Sequence, residues 1–88
     1  MQKNLPSARW RELVSRIIKT EMAKKNLKYE DLSQLLQARG TLQSSANLRN
    51  KINRGIMGAD LFLLLLLVMD VKQLNQALIL EILHELQP

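Results

Sequence analysis

The sequence contains no cysteine, so no disulfide and no thiolate metal site can staple the fold. Its single histidine, His84, cannot supply a zinc constellation by itself and is expected partly exposed near the end of a helix. No metal and no cofactor is therefore expected. Aromatic residues make up only 3% of the chain, and Trp10, Tyr29 and Phe62 offer no platform for stacking unpaired RNA bases. There is no glycine-rich phosphate loop, no nucleophile paired with a base, and no carboxylate cluster beside a metal ligand, which argues against an enzyme. A long apolar run is also missing. Leu61 to Met69 is closed by Asp60 and Asp70, far short of the roughly 20 apolar residues that a membrane-spanning helix needs. The run does not lie at the N-terminus, where a secretory signal would be. The expectation is a cytoplasmic protein with no membrane partner.

What the chain does have is aliphatic bulk and unevenly placed charge. At 88 residues it is long enough for one small domain with a modest core. Its 47% hydrophobic content, almost all Leu, Ile, Val, Met and Ala, favours helices over sheet. Residues 1–55 carry twelve Lys/Arg against four Asp/Glu, whereas residues 56–88 carry one Lys against four acids. The first part suits phosphate backbones, and the second, apolar and mildly acidic, suits protein contacts.

Apolar spacing divides the chain into five helices. After a loose arm over residues 1–5, Ser7 is a plausible cap for a first helix over about 8–25. Trp10, Leu13, Val14, Ile17, Ile18 and Met22 line its inner face, with Trp10 expected in the core. A second helix starts near Tyr29, with Glu30 and Asp31 as helix-start acids, and ends at Ala38-Arg39-Gly40. Ser44 or Ser45 caps a third, running to about Asn53. Asp60 opens a fourth, to about Met69, and a fifth is expected from about Lys72 to Leu86. No strand pattern competes, so the fold class is all-α, one bundle over 1–88. Within it, about 8–58 would serve nucleic acid and about 60–87 core and dimerisation.

The third helix carries the most information. Leu48 and Ile52 lie four apart on one face, and Arg49, Asn50, Lys51, Asn53 and Arg54 occupy the rest before Gly55. One thin apolar stripe anchors such a helix and leaves an outer face free to enter a DNA groove. With Leu48 and Ile52 inward, Ala46, Asn50 and Asn53 face away, flanked by Asn47, Arg49 and Lys51.

These residues belong to a wider resemblance. Lys25 to Val71 resembles the lambda-repressor-like, or XRE-class, helix-turn-helix domains. Lys28-Tyr29-Glu30-Asp31-Leu32-Ser33-Gln34-Leu35-Leu36 looks like that family's second helix, and Asn50-Lys51-Ile52-Asn53-Arg54-Gly55 like the end of its recognition helix. Leu63 to Val71 looks like its following apolar helix. Tyr29 to Gly55 is similar to small bacterial proteins of this group. Four departures stand out. The stretch from Leu32 to Gly55 is longer than usual. Lys28 stands where the family prefers a Ser or Thr cap, and Ser33 and Asn53 replace a usual Ala and a usual acid.

The resemblance implies a compact five-helix bundle that binds double-stranded DNA as a sequence-specific transcriptional regulator, with repression by a homodimer on a palindromic operator as the expected mode. Gln43, Ser44, Ser45, Asn47, Arg49 and Asn50 are the candidate base readers, since Arg fits guanine and Asn or Gln fits adenine. Lys28, Tyr29, Arg39, Lys51 and Arg54 are the candidate phosphate contacts. Lys3 and Arg9 are placed to form an arm over the backbone. The fourth and fifth helices hold more apolar surface than one small core hides. Leu64, Leu67, Leu78, Ile79, Ile82, Leu83 and Leu86 are therefore expected to form a homodimer interface. The alternative is a protein-interaction module, antitoxin-like or an accessory subunit, binding a different partner through the same helices.

Overall fold

Leu13, Val14, Ile17, Ile18 and Met22 recur at helical spacing, and in the computed structural model, which describes residues 7–86, they form the inner stripe of α1 (Ser7–Lys24). Four shorter helices follow: α2 (Tyr29–Ala38), α3 (Ser45–Arg54), α4 (Ala59–Val68) and α5 (Gln76–Leu86). No strand occurs among the described residues. The expected arm over residues 1–5, with Lys3, lies outside them. Ser7, expected as a cap, is the first helical residue.

The α1 stripe serves two cores. Ile18 and Met22 join Leu32 and Leu36 of α2, Leu48 and Ile52 of α3, Leu61 and Leu65 of α4, and Met69. One turn earlier, Leu13 and Ile17 pack against Ile82 and Leu86 of α5. Phe62 touches both clusters and ties them together. Each such side chain, fully buried, contributes roughly 1.5–3 kcal/mol. The helix α5 runs back along α1, and Arg16 of α1 reaches Glu85 of α5 at 3.2 Å.

Helices α1 to α4 close in the same way. A left-handed residue follows each one: Asn26 (φ 55°), Gly40 (φ 85°), Gly55 (φ 63°) and Asp70 (φ 59°). Each time, the next residue donates its N–H back to a carbonyl in the last turn: Leu27 to Met22, Thr41 to Leu36, Ile56 to Lys51 and Val71 to Leu66, at 2.9–3.0 Å. This is the Schellman closure, which satisfies carbonyls that a helix end otherwise orphans. Asp70 also accepts from Lys72 at 2.8 Å, which holds its carboxyl below the ordinary carboxylate range.

Gly55 has a second duty. A Cβ there would collide with the backbone carbonyl of Arg11 and sit 2.6 Å from its carbon, so α1 crosses the end of α3 in direct backbone contact.

Two expectations are corrected. Helix α5 begins at Gln76, not Lys72, because Asn75 caps it: its Oδ1 accepts the Ala77 N–H at 2.8 Å and its carbonyl the Ile79 N–H at 3.1 Å. Trp10 is 48% exposed, because α5 covers α1 at Leu13 and Ile17 and not one turn earlier.

Substituting Gly55→Ala should destabilise the fold by at least about 2 kcal/mol in denaturant unfolding, combining the left-handed penalty with the clash. By the same backbone logic, Asn26→Gly should raise the melting temperature, with a gain of about 0.5–1 kcal/mol. An unchanged midpoint in either variant would contradict the backbone geometry described.

Candidate nucleic-acid interface

The surface of interest is α3 and its approach from α2. The two helices pack against each other and are joined by residues 39–44. That connection is fastened at both ends. The Thr41 N–H donates to the Leu36 carbonyl at 3.0 Å, and the Ser33 hydroxyl donates to the Gln43 carbonyl at 2.6 Å. Ser33 thus ties α2 to the end of the connection, just before α3 begins. Ser44 then caps α3, its Oγ accepting the Asn47 N–H at 3.0 Å. At the start of α2 the cap is one-sided. The Asp31 carboxylate accepts the Lys28 backbone N–H at 2.8 Å, whereas an ammonium has no lone pair to offer in return.

Leu48 and Ile52 are completely buried and hold α3 to the core. Ala46, Asn50 and Asn53 lie on the opposite face, all exposed, with Asn47, Arg49 and Arg54 exposed beside them. Of the expected base readers, Asn47, Arg49 and Asn50 share this open surface. Ser45 is half-buried. Ser44 spends its oxygen on the cap, and Gln43 accepts from the Lys51 ammonium at 3.2 Å through its side-chain oxygen. Gln43 and Lys51, expected as base and phosphate contacts, therefore hold each other.

Among the expected phosphate contacts, Lys28, Arg39 and Arg54 are exposed and make no ion pair among the described residues. Tyr29 is differently employed. Its hydroxyl donates to Asn53 Oδ1 at 3.4 Å, and the Arg49 guanidinium lies over its ring, 5.4 Å from the centroid.

Two features escaped the sequence reading. A groove between α1 and the end of α3 gathers Arg11, Arg16, Lys19 and Arg54 around one acid, Glu12, which is already paired with Arg9 and Arg16. The crossing at Gly55 brings Arg54 of α3 beside the three cations of α1. Leu42, in the connection before α3, is 79% exposed, and nothing in a sequence marks a leucine for exposure.

The proposed dimer surface divides. Ile82 and Leu86 are buried against α1 and belong to the protomer's own core, and Leu78, Ile79 and Leu83 pack partly on that cluster. Leu64 is half-buried. Leu67 is open, and so is Leu63 one turn earlier on the same stripe of α4; Leu74 and Leu80 are exposed too. His84 is exposed. Among the described residues, no acid–histidine cluster could hold a metal, and no helix is long and apolar enough to cross a membrane.

The chain matches no curated protein and no solved structure. Residues 10–74, from the first turn of α1 to just short of α5, match the family described as a domain of unknown function, DUF6471, and the chain belongs to that family.

Proposed function

We propose that α2 and α3 form a helix-turn-helix and that the protein is a sequence-specific double-stranded DNA-binding regulator of the lambda-repressor-like kind, repressing as a homodimer on a palindromic site. One observation carries this reading. Helix α3 spends only Leu48 and Ile52 on the core and presents Asn47, Arg49 and Asn50 together on one open surface. Asn50 and Asn47 offer the paired donor and acceptor that adenine takes in the major groove, and Arg49 offers guanine a fork. Lys28, Arg39 and Arg54, with the cations of the α1 groove, supply the phosphate grip.

The dimer rests on α4. Leu63 and Leu67, one turn apart, form an exposed apolar stripe on α4. For two copies of α3 to read successive major grooves, a two-fold pairing there has to separate them by about 34 Å. That same stripe favours the second reading, a module that docks a different protein through α4.

Selection of bound sites from a random duplex library tests the first reading. The wild type should enrich a palindrome, and Arg49→Ala/Asn50→Ala should lose it while remaining folded. Salt-sensitive binding with no enriched motif, alike in both, would overturn sequence-specific reading. For the dimer, Leu67→Glu should halve the mass measured by light scattering; an undiminished dimer mass would place the interface elsewhere.

A further inference from the structure

We propose that Tyr29 is the positioning residue of the reading surface: it holds Arg49 of α3 in the orientation that recognises guanine. The inference rests on the DNA-binding reading and extends it to a residue outside the reading helix. Tyr29 is the first residue of α2, and it is half-buried against the main core, which restricts its movement. One face of that ring lies under the Arg49 guanidinium. Its hydroxyl reaches Asn53 one turn further along α3. A single aromatic side chain from α2 therefore restrains two side chains of α3.

The chemistry favours a restraint over mere contact. A guanidinium carries all its N–H donors in its own plane, and Arg49 is drawn to the ring face by charge and spends none of those donors on a side-chain hydrogen bond among the described residues. The fork stays available for guanine O6 and N7 while the torsions of a long side chain are narrowed. Glu30 lines the same hollow but makes no ion pair with Arg49. Among the described residues no carboxylate is paired with Arg49, so its fork is not already spent when a base arrives. Arg49 also falls in the N-terminal half of α3, the half that meets base edges in helix-turn-helix docking. Because the Tyr29 hydroxyl donates to the Asn53 amide oxygen, the Asn53 NH2 group is left as a pure donor, suited to a phosphate or a base acceptor. The phosphate role expected of Tyr29 thus passes to Asn53.

The test uses the duplex selected by the wild-type protein, together with versions in which each base pair is replaced in turn. Arg49→Ala identifies the position that Arg49 reads. Tyr29→Phe, which keeps the ring, should retain the guanine preference there. Tyr29→Leu should reduce it about two- to fivefold, the size of an exposed cation–π contact. In the Arg49→Ala background Tyr29→Leu should change nothing further at that position, and the salt dependence should be unaltered throughout. Ring-current shifts of the Arg49 side-chain protons give a readout without DNA, expected in wild type and Tyr29→Phe; their absence in the folded wild type would overturn the proposal even if Tyr29→Leu failed to fold. A folded Tyr29→Leu protein with the full guanine preference would also overturn it and leave DNA reading intact. A wild type that enriches no motif would remove both.

Discussion

The backbone crossing of α1 over Gly55 is the constraint on which the remaining geometry depends. At that point there is no side chain to adjust, so the distance between the two helices is set by main-chain atoms alone. The same glycine supplies the left-handed turn that ends α3. Its position therefore fixes where α3 stops, how closely α1 approaches, and which residues of α1 meet each neighbour. From that crossing, Ile18 and Met22 are delivered to the α2–α3–α4 core and Leu13 and Ile17 to α5. Arg11 and Lys19 are brought beside Arg54 by the same contact.

With α1 in place, α3 needs few anchors. Two buried side chains hold its inner face, and polar links steady its edges: Gln43 with Lys51 on one side, Tyr29 with Arg49 and Asn53 on the other. These links are exposed or partly so, and each contributes little to stability. Their effect is orientation. They decide which polar groups of α3 are spent within the protein and which remain open to a ligand.

The helix ends that announce themselves chemically were legible in the sequence. The cap was readable as Ser44 or Ser45 and is Ser44, Gly40 and Gly55 were readable as closing residues, and the spacing of Leu48 and Ile52 marked the inner face of α3. The start of α5 was not, because Leu74 fits the helical period and Asn75 resembles any other polar residue until its amide is seen bonded to Ala77. Periodicity also says that a face is apolar without saying what covers it. So Trp10 was expected inside and lies outside, while Ile82 and Leu86 were assigned to a partner and are covered by α1. The pairing of Gln43 with Lys51 and the role of Tyr29 depend on contacts between elements, for which one sequence carries no signal.

The division of the core into two clusters bears on how the molecule comes apart. The larger cluster holds nine buried side chains from α1 to Met69, whereas the smaller holds four, all between α1 and α5. Partial opening follows the weakest seam. Release of α5 breaks the smaller cluster and the Arg16–Glu85 contact but leaves the capped turn, the Gly55 crossing and both anchors of α3 in place. The chain is thus a four-helix unit with a detachable brace, and the segment matched to the family ends just before that brace begins.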